Sequence, residues 1–394
     1  MKKKILLVMT SLYNGGAEKS LVNLLNELDY DKYDVDLLLL KKKGIFLNQV
    51  PERVNLLEVP EGIKLMYSPE LVKGHFFKKA RRLIVNAFVK TFIRRDCYAR
   101  AARWKHLYCK EIKQLDKKYD ISVGYITGEL LYLITEKTKA DRKVLWVHND
   151  YIAEDQPREF DLPYMEKMDA IVSISDKCVN VLKEVFPQYS DKIYEIGNIT
   201  SSVVVRKQGE DFLPSEYKKD RLTLVSVGRL AEQKGFDIGI RAAKILKDKG
   251  LSFDWFVLGT GAMEDKLRSM VKELELEDSF HLIGARENPY PYIKNADFLV
   301  QPSRYEGKSV VLDETKILGT PIVVTDYPTV KDQIKPDDEG IIVPITPEGI
   351  ADGIMKMADD RELREHIRSF LLSHEYGNQS EIVKYDRVLT GDFT

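Results

Sequence analysis

The sequence predicts an α/β protein made of two doubly wound, parallel-sheet domains in tandem. Three observations predict it: the length, an alternation of short apolar runs with helical patterns in both halves, and glycine-bearing turns placed where strands hand over to helices. At 394 residues the chain exceeds the ~250–300 residues over which one hydrophobic core keeps growing. Hydrophobic residues make up 44% and charged residues 31%, enough to build two cores, and no window approaches the roughly 20 apolar residues of a membrane-spanning helix. Cys97, Cys109 and Cys178 are odd in number and lack partners at metal-ligand spacing, so buried thiols in a reducing compartment are expected.

In the first half, Met1-Lys2-Lys3-Lys4 before Ile5–Met9 imitates a signal peptide, but the apolar run is short and leads into Asn14-Gly15-Gly16 with no small-residue cleavage site. A first strand, Lys4–Met9, is expected instead, then a helix Ala17–Leu28 and strands at Tyr33–Leu40, Ile121–Tyr125, Val144–Val147, Ala170–Ser173 and Lys192–Ile196, with Ser175 as N-cap of a helix to Phe186. The polar stretch 201–220 is expected to be a linker. Beyond it, strands at Leu222–Val227, Phe253–Leu258, Phe280–Ile283, Phe298–Gln301 and Pro321–Val324 alternate with helical patterns, again the signature of a parallel sheet. The predicted division is therefore 1–200, a linker 201–220, 221–375, and a C-terminal helical segment 376–394 that crosses back to the first domain. Ligands of such sheets bind at the carboxyl ends of the strands, which directs attention to the strand-to-helix turns and to a cleft between the domains.

The net charge of −1 conceals a polarised part. Residues 73–110 carry twelve basic residues against one acid, Asp96, with Phe76, Phe77, Phe88, Phe92, Tyr98, Trp104 and Tyr108 interleaved. Apolar positions 80, 84, 88 and 92 recur at helical spacing, so a basic amphipathic helix or helix pair is expected. A nucleic-acid surface finds no recognised module here. An anionic membrane surface, met by Lys78, Lys79, Arg81, Arg82, Arg94 and Arg95, suits the mixture of cations and aromatics; the plain alternative is a solvated face that pairs with acids elsewhere.

Three turns could carry chemistry. The first, Ser11 to Lys19 around Gly15-Gly16, opens a helix whose free N–H groups favour an anion, although many α/β proteins place glycines there simply to turn. The second, Gly228-Arg229 to Lys234-Gly235, offers two cations that could converge on a diphosphate, stabilising its charge when bound and when leaving; either could equally be a solvated surface charge. The third, Glu306-Gly307-Lys308-Ser309-Val310 to Glu314, spaces two carboxylates eight positions apart across a loop and the first turns of a helix, a pattern suited to sugar and ribose hydroxyls; Glu314 could equally be a surface helix residue and Glu306 a turn acid. Gly259-Thr260-Gly261 imitates part of a dinucleotide fingerprint but ends in Glu264 and would leave the glutamates unexplained. Asp34-Val35-Asp36 imitates a metal-binding pair but starts a strand away from these turns, so it reads as structural.

Taken together, the Gly-Gly loop, Gly228-Arg229 with Lys234-Gly235, Gly259-Thr260-Gly261, Pro302-Ser303 and Glu306 to Glu314 resemble the retaining GT-B glycosyltransferases of family four, over nearly the whole chain. The resemblance implies a nucleotide-diphosphate sugar, expected to be a UDP-sugar, held by the second domain, an acceptor held by the first, and no metal or other cofactor. It implies Arg229 and Lys234 as the diphosphate pair, Glu306 as the donor-sugar contact, Glu314 as the ribose contact and Gly16 as the loop residue at the donor phosphate. Gly228, Gly259, Ile283, Gly307, Lys308, Ser309 and Val310 complete the expected donor-binding set, and His148, just after a strand, looks like a histidine that positions the sugar. Glu306, His148, Arg229 and Lys234 form the expected catalytic set, with no protein nucleophile. Lys308 and Ser309 depart from the apolar or aromatic residue and the glycine common there, which leaves the sugar open, and the loop Gly284–Asn288 does not identify the base.

The expectation is a retaining, metal-independent transferase of a hexose or N-acetylhexosamine to a saccharide or lipid-linked saccharide in bacterial surface polysaccharide assembly, cytoplasmic and peripheral at the inner face of the membrane. A nucleotide-sugar epimerase of the same fold and a non-catalytic partner subunit are the rival readings.

Overall fold

The computed structural model describes residues 2–13, 15–218, 220–306 and 308–392. It divides into two compact units, Met1–Ile199 with Ser380–Thr394, and Thr200–Gln379.

The first unit runs β1 (Lys3–Met9), α1 (Gly16–Glu27), β2 (Tyr33–Leu39), β3 (Asn55–Leu56), α2 (Glu61–Tyr67), α3 (Phe76–Phe92), α4 (Asp96–Arg103), α5 (Cys109–Glu111), β4 (Lys118–Gly124), α6 (Glu129–Lys137), β5 (Lys139–Val147), α7 (Arg158–Met165), β6 (Ala170–Ser173), α8 (Asp176–Val185) and β7 (Ile193–Glu195). Its seven strands are all parallel in the order β3-β2-β1-β4-β5-β6-β7. The central strands are covered on both faces, which is why Ile5–Met9 and Val144–Val147 are unbroken apolar runs and wholly buried. Ser175 caps α8, accepting from the Cys178 N–H at 3.4 Å. Asp36 is buried in β2 and accepts from Lys117 Nζ (2.8 Å), the Tyr119 hydroxyl (2.6 Å) and Asn55 Nδ2 (2.8 Å). Burial alone would raise its pKa, but these donors hold the carboxyl below its usual value, so its charge is spent inside the unit.

The second unit runs α9 (Ser202–Gly209), β8 (Leu222–Val227), α10 (Phe236–Asp248), β9 (Phe253–Leu258), α11 (Glu264–Glu273), β10 (Phe280–Gly284), α12 (Tyr290–Lys294), β11 (Phe298–Gln301), α13 (Val310–Leu318), β12 (Ile322–Thr325), β13 (Ile341–Val343), α14 (Pro347–Asp359) and α15 (Arg361–Ser373). The six parallel strands take the order β10-β9-β8-β11-β12-β13, which reverses direction between β8 and β11, the switch point where such sheets open a crevice. After α15 the chain returns to the first unit as α16 (Ile382–Thr390). There Tyr385 stacks on Trp146 with ring centroids 5.3 Å apart and donates to the Gly197 carbonyl at 3.1 Å.

Two expectations are corrected. The supposed linker 201–220 contains α9, whose Ser201 side chain caps the Val204 N–H and whose Val205 is buried against the second unit's core. A glycine ends it where a Cβ would press on Leu318 at 2.8 Å, so the segment belongs to the second unit from Thr200 onward. The six cations assigned to a lipid-facing surface also divide. Lys79 donates to the Val72 carbonyl and Arg82 to that of Met66, so these two hold α3 to α2 and the chain after it rather than face outward. Lys78 and Arg81 both reach Glu111 of α5, at 3.1 and 2.9 Å, and Arg95 pairs with Asp155; Arg94 is exposed.

Candidate functional site

In the second unit the turn after β8 and the loop after β11 touch. A Cβ on Gly235 would lie 2.0 Å from the Pro302 carbonyl oxygen, and Gly235 itself has φ +64°, so only glycine allows this approach without strain. A Cβ on Gly259 would lie 1.9 Å from the Gly228 oxygen, which packs the turn after β9 on the same wall. Ser226, Val227, Lys234, Pro302, Ser303 and Val311 line the seam between them, at the ends of β8 and β11.

At its edge Lys234 Nζ meets Glu306 Oε1 at 2.7 Å, with both side chains mostly shielded from solvent. The Ser303 hydroxyl donates to the same oxygen at 2.7 Å and Gln233 Nε2 to the other at 3.2 Å, while the Thr329 hydroxyl holds the Glu306 carbonyl at 3.0 Å. The Glu306 carboxylate is thus fixed by three side chains drawn from two loops, and its carbonyl by a fourth from the segment after β12. A clamp beside it went unseen in the sequence: Arg304 donates both guanidinium nitrogens to the Asp237 carboxylate, at 2.7 and 2.8 Å, and a further bond to the Glu232 carbonyl at 2.7 Å. The guanidinium holds the Asp237 carboxyl below the usual range. Arg304 lies two residues before Glu306 and Asp237 three after Lys234, so the fork ties together the two segments that carry the ion pair.

Other expected donor residues fall in different places. Arg229 is exposed beside Gly228, and Ile283 is half-buried near the end of edge strand β10. Lys308 is exposed and paired with Asp313 at 3.4 Å, Val310 starts α13, and Gly307 lies outside the described residues. Ser309 is corrected as a donor contact: it is buried, its N–H is taken by Gln333 Oε1 and its hydroxyl by Gln301 Oε1, both at 2.8 Å. Glu314 is also wholly buried and accepts from the Tyr290 hydroxyl at 3.0 Å, so it stands inside the wall and not on its surface. A direct bond to a ribose would require that carboxylate to become exposed.

In the first unit Gly16 begins α1, and a Cβ there would meet nothing within 4 Å, so the backbone is open to a ligand. The Glu18 carboxylate folds back over Gly15, and burial raises its pKa. His148 follows β5 and is only 7% exposed, its ring 5.0 Å from that of Tyr125, which stacks in turn on Trp146. Among the described residues neither ring nitrogen meets a partner at hydrogen-bond geometry. Burial depresses its pKa to about 4, against a small opposing effect of the Tyr125 backbone. The ring is therefore neutral at neutral pH and offers one donor and one acceptor rather than a positive charge.

Residues 208–370 match the family model described as glycosyl transferases group 1. The match falls within the second unit and spans most of it. Among curated relatives, the N-acetylgalactosamine-N,N'-diacetylbacillosaminyl-diphospho-undecaprenol 4-alpha-N-acetylgalactosaminyltransferase of Campylobacter jejuni is 34% identical over 40% of this chain and 42% of its own. An uncharacterized glycosyltransferase of Haemophilus influenzae is 25% identical over 99% of this chain and 100% of its own. The first curated relatives are matched over only 42% to 54% of their own length. The structure of Anabaena Alr3699/HepE, solved with UDP and glucose, superposes with a TM-score of 0.67 at 15% identity, covering 99% of this chain and all of that one. This likeness places the two units in the GT-B fold class, two Rossmann-like domains in one chain.

Proposed function

We propose that the protein is a retaining glycosyltransferase that moves a hexose or N-acetylhexosamine from a UDP-sugar to a saccharide or lipid-linked saccharide in bacterial surface polysaccharide assembly. The observation that carries the reading is the Lys234–Glu306 pair at the β8–β11 switch point of the unit that matches the group 1 family model. An ammonium there can take one side of a diphosphate, with the exposed Arg229 supplying a second cation, so the charge that develops on the leaving group meets two positive partners and needs no metal. Glu306, held by Ser303 and Gln233, presents a carboxylate to sugar hydroxyls. His148, neutral and without a partner among the described residues, suits a hydrogen bond to the sugar rather than attack on it. Such a set lacks a dedicated protein nucleophile, which fits departure of the nucleotide and attack by the acceptor from one face, with the departing phosphate taking the acceptor proton.

The relatives support the substrate class: the Campylobacter protein acts on an undecaprenol-linked acceptor, an Escherichia coli relative is a putative colanic acid glycosyltransferase, and the Anabaena structure holds UDP and glucose. Because such acceptors sit in a bilayer, we place the protein in the cytoplasm, peripheral at the inner membrane face. Incubation with UDP-hexoses and UDP-N-acetylhexosamines and a polyprenyl-diphosphate saccharide should give UDP and a glycosylated product with the donor's anomeric configuration. Lys234→Ala and Glu306→Ala should each lower turnover at least ~100-fold. Wild-type turnover in both variants would refute the site, and conversion of the donor to its epimer without an acceptor would replace transfer by epimerisation.

A further inference from the structure

Helix α3 is amphipathic the wrong way round for a helix packed on a soluble body. Phe76, Phe77, Leu83, Ile84, Phe88 and Phe92 are between 61% and 87% exposed, whereas Lys79 and Arg82 point inward to backbone carbonyls and Val89 is the one buried residue of the helix. Phe77, Ile84, Phe88 and Phe92 follow one another at seven- and four-residue spacing, which aligns them along one face of a helix about 25 Å long. Phe88 and Phe92 are packed together, ring centroids 4.6 Å apart, so the stripe is preorganised. Cations border it: Lys73, Lys90 and Arg94 are exposed, and Lys78 and Arg81 are about half exposed even while they reach Glu111.

We infer that α3 lies in the plane of an anionic bilayer and holds the protein there by sinking this apolar stripe below the headgroups, with the bordering cations at the phosphate level. This deepens the membrane location proposed for the enzyme and rests on that reading, but it changes the source of binding from charge to apolar insertion. Three observations favour lipid over a protein occupant. The apolar side chains run along one helix and are flanked by cations, the arrangement that matches an acyl layer beneath anionic headgroups. A second copy of this chain would bring two segments of strongly positive charge together, since residues 73–110 hold twelve basic residues and one acid. Glu111 fixes two of the cations, so the positive charge is presented at a set height instead of sweeping solvent, which suits a planar surface.

The test is sedimentation of the full chain with phosphatidylglycerol–phosphatidylcholine vesicles at ~0.1 and ~0.5 M salt, which needs no donor or acceptor. The variant Phe77→Gln, Ile84→Gln, Phe88→Gln, Phe92→Gln changes only exposed side chains, and an unshifted thermal melt verifies its fold. It should lose at least ~100-fold in vesicle affinity, while wild type should lose less than ~10-fold on raising the salt, because bound cations are screened and buried rings are not. Equal vesicle binding by the four-glutamine variant, or binding of wild type that vanishes at high salt, overturns the inference. So does concentration-dependent self-association of wild type that the variant abolishes without vesicle binding in either, which would make a second copy the occupant. Unchanged turnover on a water-soluble acceptor alongside lost vesicle binding separates this surface from the transfer site; lost turnover with intact vesicle binding would instead count against the site.

Discussion

Acidification from pH 7 to pH 4 should draw opposite responses from two buried groups of the first unit, His148 and Asp161. His148 has its pKa lowered from 6.5 to about 4 by burial. The folded chain then binds fewer protons than the unfolded one between those values, so stability is full above pH 6.5 and is lost as pH falls towards 4. At ~1.4 kcal/mol per pKa unit the loss is about 3 kcal/mol. Asp161 moves the other way: burial raises its pKa from 3.8 to about 6, in spite of hydrogen bonds from Tyr132 (2.5 Å) and Tyr151 (2.6 Å). Its folded-state pKa is the higher one, so its contribution is present below pH 3.8 and is lost as pH rises through 6, again by about 3 kcal/mol. Replacing His148 by Gln removes only the first response. Urea unfolding of His148→Gln, followed on the fluorescence of Trp104 and Trp146 in a Trp255→Phe background, should show a gain over wild type of about 3 kcal/mol on going from pH 7 to 4. Asp161→Asn should show the converse loss. Parallel pH curves for wild type and His148→Gln would refute the argument, as would a His148 ring carbon that titrates above pH 6 by NMR.

Two further substitutions test the second unit. Arg304→Lys keeps the charge but loses the fork on Asp237, so it should cost about 1–2 kcal/mol of stability, allowing for the partial exposure of the guanidinium. It should also lower kcat ~10-fold with KM for the donor changed less than ~3-fold; a fall in melting temperature with kcat intact would make the clamp purely structural. Gly235→Ala forces a Cβ against the Pro302 carbonyl at a left-handed φ, and should destabilise the unit by about 2–4 kcal/mol in urea melts read on Trp255. A change under ~1 kcal/mol would show that the two loops separate freely.

Most strands were legible because a parallel strand covered on both faces must be an apolar run, and Leu222–Val227 or Phe298–Gln301 allow little else; the short edge strands β3 and β13 were missed. Helix α9 was not, since Val203-Val204-Val205 is a poor helical pattern and its Ser201 cap sits in a polar stretch that looks like a linker; burial of Val205 against the second unit's core overrides local preference. Glu306 stood out by its spacing from Glu314, yet the fate of each depends on residues far away in sequence. Lys234 is 72 positions from Glu306, and the Tyr290 that covers Glu314 is 24 positions from it. Ser309 was misread for the same reason: its partners Gln301 and Gln333 become neighbours only through the sheet. Helix α3 was legible as basic and amphipathic, but periodicity gives no direction, and only the bonds of Lys79 and Arg82 show which side faces the body.

The return of α16 has a consequence for how the protein is made. The first unit stays open until Ser380–Thr394 arrives, because Tyr385 fills its core against Trp146. Between Ile199 and that segment lie the 180 residues of Thr200–Gln379, roughly 10–40 s of synthesis at typical elongation rates. During that interval the second unit is completed before the first, although it is encoded later, and the nascent first unit, with its strands made but α16 missing, leaves one face of the Trp146 ring uncovered.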